Sequence, residues 1–225
     1  SRGLGDVYKR QMKYPATFLN TLIATVIGTL GIIVIASMGG YKMARVKTRY
    51  SRFCFLFCIA PMMIPFQSFM LTLVNVATTL HINGKIWGLA IIYWGLGAPM
   101  SIFLYQGFAK GIPLELEESA LIDGCNQFQL FTRIIFPMLK SCTATVTIIN
   151  VMWIWNDFLL PLLMLGGRKS SKTLQLAAYS FMGQYKMEWQ NIMSAAILII
   201  IPALILYLIF QKSIIKGVVA GAVKG

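Results

Sequence analysis

Four of the seven acidic side chains in this 225-residue chain lie between positions 115 and 123. Acid–base or nucleophilic catalysis would need a nucleophile, a base and an orienting group beside them. The single histidine, His81, has no Cys, Asp or Glu near it in the sequence, and the four cysteines form no CxxC pair. We therefore expect neither a catalytic nor a metal site.

A helix–turn–helix pattern surrounds these carboxylates. Pro113 suits the first turn of a helix, where its missing N–H is not needed, and the glutamates follow at the positive end of the helix dipole. Gly124 suits a C-terminal stop that requires a positive φ. Asn126 and Gln129 have the spacing of a capping box for a second helix. The segment 110–140 is thus predicted to be a helix, a glycine turn and a second helix that could dock on a partner.

The composition places this segment in a membrane protein. Hydrophobic residues make up 57 %, charged residues 12 %, and the mean hydropathy is +0.71, whereas a soluble domain carries about 25 % charged residues. A net charge of +13 would suggest nucleic-acid binding in a soluble domain. Here, however, the 20 Lys and Arg lie mostly between apolar runs, where they would meet lipid headgroups. We expect a polytopic, all-α helix bundle in contact with membrane lipid and no nucleic acid.

Five apolar runs are long enough to cross a bilayer, which takes about 20 residues of helix. They are continuous rather than alternating, which favours helices over strands. The predicted spans are about 17–41, 53–77, 86–108, 141–165 and 190–211. Basic residues concentrate in the loop at 42–52, which predicts that this loop, the segment 110–140 and the C-terminus are cytoplasmic.

The first residues differ in character from the rest. The stretch DVYKRQ within residues 1–11 resembles the translation of a transposon-end adapter used in preparing sequencing libraries. We therefore expect residues 1–11 to be a non-native leader and residues 12–225 to form one transmembrane domain. The odd number of spans further suggests that an earlier span precedes them in the natural chain.

The helix–turn–helix segment resembles the EAA motif of permease subunits of ATP-binding cassette importers. In that family Glu-Ala-Ala is followed after three residues by Gly, and after nine more by Ile-x-Leu-Pro. The chain keeps these separations, with Ser119 and Phe136 as conservative departures, and an Asp before the Gly is also usual. The matching positions are Glu118, Ser119, Ala120, Asp123, Gly124, Ile134 and Pro137.

Three further stretches resemble the carbohydrate-importing, maltose-permease branch of that family. Trp155-Asn156-Asp157-Phe158 is similar to its fifth-span segment, residues 18–21 (FLNT) to its second span, and the final GAVKG to its C-terminus. The resemblance covers residues 12–225. It implies a six-span permease of the bacterial inner membrane, of which five spans are present here, with a cytoplasmic C-terminus.

The resemblance also implies partners and roles. A sister permease would complete the pathway, two cytoplasmic ATP-binding cassette subunits would close on ATP, and an extracytoplasmic solute-binding protein would deliver sugar. The chain itself has no GxxxxGK[ST] phosphate loop, so it should be a transport subunit without its own ATPase site or cofactor. Glu118 would form an ion pair with the ATPase. The full set of implied docking residues is Glu118, Ser119, Ala120, Asp123, Gly124, Ile134, Pro137, Lys224 and Gly225.

Several residues have two interpretations. Asp157 lies within an apolar run, so it could line the pathway with Asn156, or it could be hydrogen-bonded or solvated near the outer interface. Trp155 could stack on sugar rings, although interfacial anchoring is the more common role of Trp in membranes. Glu115 and Glu117 are expected to be solvated at a helix start.

The function also has alternatives. A permease for another solute, such as a polyamine or phosphate, would share the same motif. A secondary transporter or channel would want paired intramembrane charges, and this chain offers a single intramembrane acid. A membrane enzyme is the weakest alternative, because no catalytic group can be assembled.

Overall fold

A computed structural model describes residues 12–166, 171–181, 189, 192–205 and 208, and within these ranges every regular element is helical. The all-α class predicted from the sequence is therefore confirmed. The leader 1–11, Lys224 and Gly225 lie outside the described residues. The helices are α1 Tyr14–Arg45, α2 Arg49–Ile59, α3 Phe66–Thr79, α4 Ile86–Lys110, α5 Leu114–Ile122, α6 Gln127–Met138, α7 Lys140–Asn156, α8 Leu159–Leu165, α9 Leu174–Tyr179 and α10 Ile192–Ile205.

Among the described residues, two helices are each long and apolar enough to cross a membrane. α1 has 32 residues and α4 has 25, and at about 1.5 Å of rise per residue both exceed the hydrocarbon thickness of about 30 Å. The predicted spans 17–41 and 86–108 lie inside them. α10 is apolar but shorter in its described part.

The predicted span 53–77 corresponds to two helices rather than to one. α2 runs into a 3₁₀ turn at Ala60–Met63, and α3 starts after Pro65 at an angle of 107°. The proline ring disfavours helical dihedrals in the residue before it, and Ile64 is extended, with φ −99° and ψ 120°. The bend therefore has a local cause in the sequence. By itself it is compatible with a broken span or with a re-entrant loop.

The predicted span 141–165 is also interrupted. α7 ends at Asn156, and α8 begins at Leu159 after a break at Asp157 and Phe158. The carboxylate of Asp157 accepts a hydrogen bond from the backbone N–H of Leu159 at 3.1 Å, so it satisfies one of the free amide groups at the start of α8. On its other side, α7 follows α6 at an angle of 75°.

The chain divides into two packing units. The first comprises residues 12–28, 66–92 and the described residues from 150 onward. Its apolar cluster includes Trp155. The rings of Trp155 and Phe18 pack edge-on, with their centroids 5.7 Å apart. The start of α1 is tied to the region of α9 by Asn20, which donates to the Lys172 carbonyl at 3.0 Å, and by Thr21, which accepts from the Leu174 N–H at 2.9 Å.

The second unit comprises residues 29–65 and 93–149, and within it α1 approaches α4 closely. A Cβ atom on Gly40 would lie 2.7 Å from the Cβ of Tyr105 and 3.0 Å from the Ile102 carbonyl oxygen. Small residues at such crossings let the backbones of membrane helices pack closely. Tyr105 in turn donates to the Thr143 hydroxyl at 3.0 Å, which joins α4 to α7.

Candidate functional site: the elbow between α4 and α7

The turn at Gly124 follows from local backbone chemistry. Gly124 has φ +85°, a conformation that costs an L-residue roughly 1–2 kcal/mol. The N–H of Gly124 donates to the Leu121 carbonyl at 3.1 Å, and the N–H of Cys125 donates to the Ala120 carbonyl at 3.0 Å. These two bonds form a Schellman motif, which satisfies carbonyl groups left free at the end of α5. The predicted glycine turn is confirmed.

We call the segment 110–140 the elbow. Its second helix, α6, begins as the sequence predicts. The Asn126 side chain accepts from the Gln129 N–H at 2.9 Å, and the Gln129 side chain accepts from the Asn126 N–H at 3.0 Å. This reciprocal pair is a capping box. Inside α6, residues Leu130–Ile135 form a π-helical segment, which the sequence pattern did not predict and which contacts α5. The elbow is thus a compact helix pair.

A buried ionic cluster ties the elbow to the end of α1. The Tyr41 hydroxyl donates to Glu117 Oε2 at 2.8 Å, and Arg45 Nε donates to Glu117 Oε1. A second nitrogen of Arg45, Nη2, donates to the Ile112 carbonyl at 2.9 Å. We call Tyr41, Arg45 and Glu117 the latch. Its Arg45 and Glu117 side chains are only 14 % and 10 % exposed.

The prediction that Glu117 is solvated is wrong. A buried carboxylate is tolerated only when it is paired and hydrogen-bonded, and both conditions are met because α1 ends beside the start of α5. The sequence contained a weak signal, since Arg45 lies at the end of a long apolar run and α5 is rich in acids. It did not show which of the three glutamates would turn inward.

The EAA-like residues divide into an outer and an inner group. Glu118, Ser119, Asp123, Gly124 and Pro137 are exposed, Ile134 is half-buried, and Ala120 is buried. The Ser119 hydroxyl donates to the Glu115 carbonyl within α5. Two large apolar side chains close to the turn in the sequence are also exposed, namely Ile122, which is 86 % exposed, and Phe128. Exposed apolar side chains with acidic neighbours are typical of a protein interaction site, and the sequence pattern did not indicate the exposure of Ile122.

The three pathway candidates lie together at the end of α7, in different environments. Trp155 is 1 % exposed and belongs to the apolar cluster of the first unit, so neither face of its ring is open for stacking or for contact with headgroups. Asn156 is exposed, and its side chain donates to the Met152 carbonyl at 2.8 Å. Asp157 is half-buried at the break before α8.

Residues that could hold a metal ion do not occur together in the part of the chain that the structure describes. No group of three or more His, Cys, Asp or Glu side chains is close enough there to coordinate one. The carboxylates of the elbow instead serve the latch or lie on the exposed surface.

A helical membrane chain with such an elbow is the architecture of an importer permease, and the family comparison agrees. Residues 28–219 match the family described as "Binding-protein-dependent transport system inner membrane component", and the chain belongs to that family. It is therefore an inner membrane protein and a permease subunit of a binding-protein-dependent importer. Its relatives are transport permeases rather than enzymes.

Individual relatives cover nearly the whole chain. It is 40 % identical over 207 residues to the "Probable starch degradation products transport system permease protein AmyC" of Thermoanaerobacterium thermosulfurigenes, covering 92 % of this chain and 75 % of AmyC. It is 38 % identical over 224 residues to the "Multiple sugar-binding transport system permease protein MsmG" of Streptococcus mutans, covering 97 % and 80 %.

The fold is also that of a solved importer. The structure superposes on a chain of a bacterial ABC transporter that imports the acidic polysaccharide alginate, with a TM-score of 0.78 and 22 % sequence identity. The match covers 93 % of this chain and 78 % of that one. At this level of identity the match establishes the shared helical architecture.

Proposed function

We propose that this chain carries a carbohydrate across the inner membrane together with a sister permease, driven by two cytoplasmic ATP-binding cassette subunits. A solute-binding protein outside the membrane would deliver the sugar. The names of AmyC and MsmG, which refer to starch degradation products and multiple sugars, support a sugar as the cargo. The chain has no phosphate loop of its own, so ATP would be bound and hydrolysed by the partner subunits.

The elbow would be the part of the permease that docks on an ATPase subunit. The observation that carries this proposal is the exposure of the segment around Gly124, in which the acids Glu118 and Asp123 and the apolar Ile122 and Phe128 are all exposed. Such a surface fits an apolar cleft with a basic rim. Ser119 and Pro137 would lie at its edge, whereas the buried Ala120 and half-buried Ile134 would hold the two helices of the elbow together.

The latch would transmit the movement of the ATPase to the membrane helices. Arg45 binds both the Glu117 carboxylate and the backbone just before α5, so α5 cannot move far without pulling on the end of α1. Packed interfaces of this kind move as rigid bodies rather than deform. Closure of the ATPase would therefore rock α1, and with it α4, which packs closely against Gly40.

Two further parts of the chain would contribute to transport. Asn156 and Asp157 would contribute to the sugar pathway, because polar groups at helix breaks commonly line transport sites in membrane proteins. Lys224 and Gly225 would lie on the cytoplasmic side and reach toward the ATPase subunits.

A charge-reversal experiment tests the docking role. We expect Glu118→Arg to lower sugar uptake and co-purification of the ATPase subunit by about tenfold, as for the loss of a good charge pair at an interface. The matched control is Glu115→Arg on the same exposed helix, which should bind the ATPase like the unmodified chain. The proposal fails if Glu118→Arg transports and binds as well as the control.

The cargo needs a separate test. Uptake by the reconstituted complex would be measured with a panel of oligosaccharides, a polyamine and inorganic phosphate. We expect the complex to take up a sugar, and we expect only sugars to compete for that uptake. Uptake of the polyamine or of phosphate with no response to any sugar would overturn the sugar assignment and leave the permease assignment intact.

A further inference from the structure

A basic groove lies beside the elbow, and all but one of its cationic side chains lie outside the latch. It has a volume of about 1210 Å³ and is bounded by the end of α1, the start of α2 and the segment before α5. Its cationic side chains are Arg45, Lys47, Arg49, Arg52 and Lys110, and Glu115 is its acidic residue.

The charge of the groove is largely uncompensated. Arg45 is neutralised by Glu117 in the latch. The other four cations are exposed and form no ion pair within the described part of the chain. One glutamate among four free cations leaves a strong preference for an anion, and clustered Lys and Arg side chains at a membrane surface attract anionic headgroups.

The side chains next to these cations are apolar. Phe55 and Leu56 line the groove itself. Further along α2 the exposed face carries Phe53 and Phe57, and Phe57 is 71 % exposed. The rings of Phe53 and Phe57 are stacked with centroids 6.2 Å apart. A cationic end followed by an apolar helix face matches a molecule with an anionic head and long apolar tails.

We propose that this groove binds the phosphate headgroup of an anionic phospholipid. Lys47, Arg49 and Arg52 contact the phosphate, and the acyl chains lie along the Phe53–Phe57 face of α2. Lys110 closes the groove from the end of α4. The proposal requires only that the chain lies in a membrane, so it does not depend on the docking role of the elbow.

Native mass spectrometry of the purified full chain, in the complex in which it purifies, tests this site. Phosphatidylglycerol and phosphatidylcholine would be titrated separately. We expect phosphatidylglycerol to bind at about tenfold lower concentration. Arg49→Gln with Arg52→Gln should abolish this preference, whereas Arg49→Lys with Arg52→Lys should keep most of it.

The matched control changes two cations outside the groove, Lys42→Gln with Lys140→Gln, and should bind like the unmodified chain. Loss of the lipid preference in this control as well would show an effect of net charge alone and would overturn the site. Displacement of the lipid by millimolar inorganic phosphate would show a free-anion site and would also overturn it.

Photocrosslinking in membranes distinguishes a lipid from a protein occupant. With a benzoyl-phenylalanine at position 55, we expect adducts enriched in the anionic lipid over its share of the bilayer. An adduct to a polypeptide, such as a sister permease or a second copy of this chain, would overturn the proposal. So would lipid adducts in the same proportions as the bulk membrane.

Discussion

At the scale of single residues, the latch shows how a buried charge is accommodated next to a membrane. Two different nitrogens of Arg45 donate hydrogen bonds, one to the Glu117 carboxylate and one to the Ile112 carbonyl. The planar guanidinium is well suited to donating to two acceptors at once. Tyr41 occupies the second carboxylate oxygen. Because every member depends on the others, the loss of one leaves a partner buried and unpaired.

Removal of Glu117 should therefore destabilise the chain strongly. We expect Glu117→Ala to lower the free energy of unfolding by about 3–5 kcal/mol, since it leaves the Arg45 charge without its partner. Glu117→Gln keeps an acceptor and should cost about 1–3 kcal/mol. Thermal unfolding in detergent, followed by circular dichroism, measures the difference. The exposed Glu115→Ala is the control, and equal stability of Glu117→Ala and Glu115→Ala would contradict the burial of the pair.

Gly124 is the second residue with a distinct physical role. Its φ of +85° is strained for any residue with a Cβ, although a Cβ there would touch nothing within 4 Å. We expect Gly124→Ala to lower the free energy of unfolding of the chain by roughly 1–2 kcal/mol, through backbone strain alone.

Gly95→Ala provides the comparison for Gly124→Ala, because a Cβ at Gly95 also meets nothing within 4 Å while its backbone lies inside α4. Alanine in a helix is favoured by about 0.5–1 kcal/mol, so this variant should be as stable as the unmodified chain or more so. If both variants shifted the melting temperature in the same direction, the turn would not require glycine.

At the scale of elements, α1 and α4 of the second unit approach each other closely at Gly40. Gly40 faces the backbone of α4, where Ile102 O and Gln106 N would each lie 3.0 Å from an added Cβ. Backbone atoms cannot yield as a flexible side chain can. A side chain at this position would therefore have to push the two helices apart.

Neighbouring glycines in α1 allow a sharp test of this contact. Gly40→Ala should force α1 and α4 apart. It should lower the free energy of unfolding of the chain by about 1–3 kcal/mol, the usual cost of overpacking. Gly39→Ala should be neutral or slightly stabilising, because its Cβ would meet only the Ile102 side chain at 4.0 Å. Thermal unfolding of both variants in the same detergent makes the comparison, and equal melting temperatures would refute close backbone packing at Gly40.

At the scale of the whole molecule, the latch predicts a path of the chain through the membrane. The end of α1 and the start of α5 are bonded to each other, so we expect both to lie on the same side. α4 is long and apolar enough to cross the bilayer, and if it does so, the turn at residues 80–85 is expected on the opposite side. The bent pair α2 and α3 would then cross the bilayer once as a broken span, rather than return to the side from which it entered.

Accessibility to an impermeant thiol reagent measures this topology. The background has Cys54, Cys58 and Cys142 replaced by Ser. In it, we expect native Cys125 and an introduced Lys47→Cys to be labelled from the same side of the membrane. With Cys125 also replaced, we expect Asn83→Cys to be labelled from the opposite side. The basic residues at 42–52 predict that the shared side is cytoplasmic. Labelling of positions 47 and 125 from opposite sides would show that α2 and α3 form a re-entrant loop.

The sequence by itself determined the features that depend on near neighbours. The apolar composition and continuous hydrophobic runs indicated an all-α membrane protein. The glycine turn at Gly124 and the capping box of Asn126 and Gln129 were also predicted, because such bonds join residues within about five positions of each other. Pro65 made a break near Ile64 foreseeable, although not its angle of 107°.

Only the tertiary structure decided which polar groups are buried and what they meet. Glu117 finds Arg45 across 72 positions of sequence, and Trp155 enters an apolar core rather than a headgroup layer. The π segment of α6 likewise has no signature in the apolar spacing. Local rules determine where a helix begins and ends, whereas the partner of a buried charge depends on how whole helices pack. Packing joins residues whose distance along the chain carries no information about their distance in space.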